Sequence, residues 1–342
     1  MEKNRHNFID MVRVIACFWV ILSHVNASVL MQTPMSGTWI VSEIFSVSCK
    51  PAIPLFVMIS GYTMLDRIYD YKKMGQKVWR VVLALFVFSV PYYLFQWLDG
   101  TRTQIGIGDF FFSVFQYPQT IAFWYMYMYI GLLIMLPFIQ KMVANMDKKD
   151  CEIFIGLSLL IYATWPIIEY WFPQLTYSRL FDFAIFDSYV GLLMMGHYMK
   201  KYVTPSRNKM IAAIVTYIAG GAFVVIMTYQ EYMRSAGTDY FFYDEVTQLP
   251  AVLQGVALFY IVSQIKFEGK FAGVIKCIGG CTFGIYLLSD LLIVRLNMIF
   301  GIMNAMGIQP LLVVLIFDLI VYATGFVIVY ILKKIPGIRQ LV

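Results

Sequence analysis

Arg13 and His24 stand eleven positions apart in the apolar stretch FIDMVRVIACFWVILSHV. Eleven residues are close to three helical turns, so on a helix the two side chains share nearly one face, roughly 16 Å apart along the axis. Ionisable groups at membrane depth are costly unless they line a cavity or meet partners, so the pair points to a polar pathway. An imidazole can take a proton from a hydroxyl or briefly accept an acyl group. A guanidinium fork suits phosphate and other anions. Asp10, three residues before Arg13, is the local alternative partner, and an arginine so near a helix start can also snorkel to the surface.

Two other cationic features accompany the pair. In SVSCKPAIPLFVMISGYTM, Lys50 precedes Pro51 and Pro54 inside an otherwise apolar run. Prolines interrupt the hydrogen-bond ladder and free carbonyls, which is tolerable at membrane depth only beside protein or a cavity. The Ser60-Gly61 pair that follows permits close helix packing or close approach of a ligand. Lys77 and Arg80, in KKMGQKVWR, fall one turn apart and share a face, either as an anion site or as a cytoplasmic anchor. His6 precedes the first apolar run, and His197 in MMGHYMKK falls at a helix end within reach of water.

The elements that must position these residues are membrane helices. The 342 residues are 60% hydrophobic and only 13% charged, with a mean hydropathy of +0.72. Soluble domains carry roughly twice that charged fraction. Apolar runs recur from end to end without period-two alternation, which predicts an all-α polytopic membrane protein and not a barrel. Ten spans are expected, over about 8–31, 38–65, 77–98, 121–142, 152–171, 181–200, 208–230, 246–265, 271–299 and 309–333. Basic residues crowd the loops on one side together with both termini, from Lys3 and Arg5 through Arg67, Lys72, Lys141, Lys148, Lys149, Lys201 and Lys266 to Lys333, Lys334 and Arg339. The opposite loops hold only Arg102, Arg179 and Arg234, a bias that places both termini in the cytoplasm. The net charge of +6 therefore reflects topology and not affinity for nucleic acid.

No soluble domain is evident, so a single membrane domain over 1–342 is expected, with the first span retained and not cleaved as a signal. Five cysteines, at 17, 49, 151, 277 and 281, read as reduced buried side chains; Cys277 and Cys281 share a helix face but lack companions for a metal. Trp39, Trp97, Trp124, Trp165 and Trp171 fall near outer span ends, as a headgroup belt or as stacking surfaces for a sugar. The two longest outer connections are 99–120, with the apolar aromatic piece DFFFSVFQYPQT, and 231–245. Outer-side carboxylates Glu169, Asp182, Asp187, Asp239, Asp244 and Glu245 could meet sugar hydroxyls, although solvated loop charge is the ordinary reading.

The residues, taken in order, resemble the acyltransferase-3 family of integral membrane acyltransferases, in a stand-alone form. Ile9-Asp10 with Arg13 and His24 is similar to the family's first-helix motif, and Phe56–Tyr62 (FVMISGY) to its "FFxxSGF/Y" motif. Lys77 with Arg80 resembles its "RxxR" pair, Phe123-Trp124-Tyr125 with Leu136-Pro137 its "WY/FL … P" span, and Gly196-His-Tyr its "GYxL" helix end. Gly284-Ile-Tyr286-Leu287 resembles "S/T-x-G-I-Y-L-I-H". Lys77 stands where that family has arginine, and Ser289, followed by Asp290, stands where histidine is usual, so no catalytic role passes to that position.

The resemblance implies transfer of an acyl group, acetyl above all, from cytoplasmic acetyl-CoA to a hydroxyl of a cell-envelope carbohydrate or lipid-linked glycan at the outer side of the plasma membrane. His24 would be catalytic, while Arg13, Lys77 and Arg80 would hold the acidic end of acyl-CoA and the pantetheine arm would thread toward His24. Asp10, Lys50, Ser60, Trp124, Tyr125 and Tyr286 are candidates for lining a substrate chamber, with no metal required. A glycan or small-molecule exporter is the alternative that a broken helix and a membrane lysine also fit. Oligomeric state is not legible.

Overall fold

The apolar runs become helices wherever no proline or glycine interrupts them. A computed structural model describes residues 7–32, 36–67, 70–176, 187–234 and 245–342; Arg179, Asp182, Asp239, Asp244 and His6 lie outside the described residues. The fold is all-α, with no strand among the described residues. Among the described residues, eight helical stretches are long and apolar enough to cross a membrane, two of them, Gly37–Met64 and Lys148–Trp171, interrupted within. The expected span 246–265 is the shorter helix Leu249–Ser263, and 181–200 is described only as Ser188–Lys201. The expected span 271–299 is corrected: it divides at Gly280-Cys281 into two helices, so Cys277 and Cys281 do not share one.

The chain forms two compact units, Met1–Arg67 with Gln140–Gly279, and Ile68–Ile139 with Gly280–Val342. In the first unit, α1 (Asn7–Gln32) runs unbroken because it contains neither glycine nor proline. The next run splits into α2 (Gly37–Cys49) and α3 (Ala52–Met64). Pro51 cannot donate to Val47, whose carbonyl instead accepts from the Lys50 N–H at 3.3 Å. Pro54 falls in the first turn of α3, where its missing N–H costs nothing. The carbonyl of Ser48, beside the break, accepts from the Tyr217 hydroxyl at 3.3 Å.

The same unit holds α7 (Lys148–Ser158), α8 (Trp165–Trp171), α9 (Ser188–Lys201), α10 (Arg207–Arg234), α11 (Leu249–Ser263) and α12 (Gly269–Gly279). A wide π-type turn over Leu159–Thr164 joins α7 to α8, where Pro166 removes a ladder donor. α3 and α9 approach until backbone meets backbone. A Cβ on Gly61 would stand 2.0 Å from the Leu193 carbonyl oxygen, and one on Gly196 2.1 Å from that of Met58. Gly255 of α11 admits Pro54 in the same way, at 2.7 Å.

The second unit contains α4 (Tyr71–Leu98), the short α5 (Ile107–Gln116), α6 (Trp124–Ala144, all but its last turn), α13 (Thr282–Ala305) and α14 (Pro310–Leu332). α5 falls in the aromatic piece of the 99–120 connection, too short to span. α13 and α14 pack through Gly284 on Val329, Gly325 on Ile285 and the Phe300–Phe317 ring pair. The Tyr92 hydroxyl enters the α13 ladder, donating to the Leu287 carbonyl at 3.0 Å and accepting from the Leu291 N–H at 3.1 Å.

Candidate active site

The unbroken course of α1 places Arg13 and His24 on one helix face, with the rise that their spacing predicts. The start of α1 is locked from several directions. Phe8 meets Tyr62 edge-on at 5.3 Å and Phe259 at 5.8 Å, while the Asn7 amide donates to the Phe267 carbonyl at 3.1 Å. A Cβ on Gly279 would come within 2.8 Å of the Asp10 Cβ, so α12 lies directly against this turn. Arg13 is paired with Asp10 at 3.0 Å and keeps 38% of its side chain exposed, against 14% for Asp10. The guanidinium thus has both a fixed neighbour and access.

His24 is half-buried toward the other end of α1. Two residues on, Asn26 and Ser42 exchange buried hydrogen bonds, Nδ2 to the Ser42 carbonyl at 2.8 Å and the Ser42 hydroxyl to Oδ1 at 2.7 Å. This reciprocal pair fixes the register of α1 on α2 and brings in Glu43, whose side chain is fully buried. Trp39, one turn before, is also buried, 6.4 Å from the Tyr232 ring, and so does not stand in a headgroup belt. Lys50 is half-buried at the α2–α3 break. The Ser60 hydroxyl donates back to the Phe56 carbonyl at 3.2 Å, and Gly61 is taken up by close contact with α9.

His197 is a correction, being buried and not at the water-accessible helix end its position implied. Its Nδ1 lies 2.9 Å from Asp66, whose other oxygen meets Lys200 at 2.6 Å. The close crossing of α9 on α3 encloses it.

The remaining expected residues belong to the second unit. Lys77 continues the buried stripe of Val81, Ala84 and Phe88 on α4, and Arg80 is exposed beside it. Trp124, Tyr125 and Tyr286 do gather: Tyr125 meets Trp124 at 6.2 Å and Tyr286 at 6.0 Å, both edge-on, and stacks on Tyr129 at 5.7 Å. The Tyr286 hydroxyl donates to the Ala122 carbonyl. The Asp290 carboxylate accepts from the Thr120 hydroxyl and, at 3.2 Å, from the Ala122 N–H, capping the turn that opens α6. The expected chamber set therefore divides, with Asp10, Lys50 and Ser60 in the first unit and the three aromatics in the second.

A family profile described as an acyltransferase domain matches residues 6–333, through both units and nearly the whole chain. The chain belongs to the acyltransferase-3 family. It is thus a multi-pass membrane acyltransferase. No curated protein and no solved structure matches it.

Within this acyltransferase, three buried carboxylates among the described residues escaped sequence reading: Glu231, paired with Arg234 at 3.0 Å, Glu43 and Asp318. Glu43 sits in α2, in a stretch that holds no other charge, and a polar count of that span would have flagged it. Asp318 lies near the middle of α14, fully buried, with neither oxygen hydrogen-bonded among the described residues. Its signal was plain, a lone charge in PLLVVLIFDLIVYATGFVIVYIL. Among the described residues no three His, Cys, Asp or Glu side chains converge as metal ligands would. The described cysteines are unbridged, four buried and Cys277 exposed.

Proposed function

We propose that this acyltransferase moves an acyl group, acetyl first among candidates, from cytoplasmic acyl-CoA to a hydroxyl of a cell-envelope carbohydrate or lipid-linked glycan. One acyltransferase domain runs through both units, with both termini cytoplasmic in a plasma membrane. The observation that carries the reading is the placement of Arg13 and His24 on one face of an unbroken, well-buttressed helix within a family-wide match.

In this reading His24 takes the proton from the acceptor hydroxyl. The freed oxygen attacks the thioester carbonyl, the carbon–sulfur bond breaks, and the coenzyme A thiolate recovers a proton to leave as the thiol. If His24 carries the acyl group itself, its ring nitrogen attacks first and the acceptor oxygen then displaces it. Arg13, and separately the Lys77–Arg80 face, supply positive charge for the acidic end of acyl-CoA. The exporter alternative has no observation of its own in its favour.

The test is acyl transfer from radiolabelled acetyl-CoA in proteoliposomes. His24→Ala should abolish transfer while the protein inserts and unfolds with an unchanged midpoint. Full activity of that variant would overturn the mechanism. A labelled protein that accumulates without acceptor, and loses its label in His24→Ala, identifies the carrier route.

A further inference from the structure

The 99–120 connection builds a polar cavity of about 300 Å³ that the proposed transfer chemistry does not use. It is lined by Gln96, Arg102, Thr103, Gln104, Asp109 and Tyr117, all within the second unit. Its frame is already braced. Arg102 Nη1 meets Asp109 Oδ2 at 2.7 Å, the Tyr93 hydroxyl donates to the same oxygen at 2.6 Å, and the Gly106 N–H donates to the Tyr93 oxygen at 3.0 Å. The Arg102 guanidinium lies 4.4 Å above the Tyr93 ring, and its backbone N–H donates to the Gln96 carbonyl at 2.9 Å. Burial works against the Arg102 charge, but Tyr117, Asp109 and Tyr93 together hold its pKa above the ordinary arginine value.

What the frame leaves over is the informative part. Among the described residues, Asp109 Oδ1, the Thr103 hydroxyl and the Gln104 side-chain amide make no hydrogen bond, and Nε of Arg102 is buried without a partner. Arginine and aspartate cancel in charge, so the cavity is not built for a net anion. Closely set acceptors and donors instead match the neighbouring hydroxyls of a sugar ring. The half-exposed Tyr117 ring offers a flat surface for the apolar face of a pyranose. α5, which supplies Asp109, exposes Ile107, Phe111 and Phe115 on its far side, and such a helix lies in a membrane interface. By the loop-charge bias this connection is on the outer side.

We propose that this cavity is a sugar-binding subsite that holds a neutral pyranose of the acceptor glycan, away from the hydroxyl that is acylated. The proposal rests on the glycan-acceptor reading above. The test uses the full chain in nanodiscs, with Thr103→Val/Gln104→Ala as the variant that leaves the whole Arg102 brace in place, and Tyr117→Ala as one that keeps the Arg102–Asp109 pair but gives up the hydroxyl that accepts from Arg102 at 3.4 Å. Saturation-transfer NMR with cellobiose, lactose and chitobiose should show ring-proton saturation for at least one sugar, lost in both variants. With oligosaccharides cut from the cell envelope as acceptors, KM for acceptor should rise about ten-fold while KM for acyl-CoA stays put. Saturation lost in the variants of a protein that transfers nothing to these acceptors would keep the subsite and sink the glycan-transfer reading. Transfer with an unmoved acceptor KM would sink the subsite alone, as would no saturation from any of the three sugars.

Discussion

Asp318 shows how one side chain can cost stability while the fold persists. Its carboxyl is fully buried in α14, and no hydrogen bond among the described residues offsets the desolvation. Asp318→Val should therefore raise the thermal midpoint, by about 1–3 kcal/mol of added stability. A fall in the midpoint, read by intrinsic fluorescence in detergent, would mean that the carboxyl is bonded in the membrane. Arg13 makes the opposite case. Its pair with Asp10 is more than a third exposed on the arginine side, and such pairs contribute about 0–1 kcal/mol. Arg13→Ala should leave the midpoint within about 1 kcal/mol, yet weaken acyl-CoA binding about ten-fold by calorimetry. Unchanged affinity would remove Arg13 from the donor path.

At the scale of elements, glycines decide which helices can meet. In a bilayer, apolar area gives little preference between one helix partner and another, so close backbone approach and its dispersion contacts carry the association. Gly61 and Gly196 bring α3 and α9 together at a distance that leaves no room for a methyl group, and the obstructing atoms are backbone carbonyls. Gly61→Ala and Gly196→Ala should each cost about 2 kcal/mol or more, measured as a lowered unfolding midpoint. Gly131→Ala, on an exposed face of α6 with nothing within 4 Å of the new methyl, is the control and should be neutral or slightly stabilising. The break at Lys50-Pro51 belongs to the same scale. The Val47 carbonyl that Pro51 cannot serve takes the Lys50 N–H, and the Ser48 carbonyl beside the break takes the Tyr217 hydroxyl from another helix, so local and tertiary contacts together meet the cost.

For the whole molecule, the loop-charge bias predicts that the 99–120 connection faces outward and that the α6–α7 turn faces the cytoplasm. In a cysteine-free background, Thr103→Cys should react with an impermeant maleimide on intact cells, and Lys149→Cys only after permeabilisation. The reverse pattern would invert the topology and remove the outer-side placement of the sugar subsite. The sequence alone was enough for the helical class and for the order of motifs that marks the family. These are properties of local composition and spacing, and they do not depend on which helix meets which. Tertiary structure was needed to show that Gly61 is spent on packing against α9, that His197 is enclosed, and that Trp39 is interior. It also divided the expected site residues between two units and exposed Glu43 and Asp318 as buried carboxylates. The physical reason is that membrane helices are apolar on nearly every side. Periodicity then does not say which face turns inward, and only the crossing of helices distant in sequence decides it.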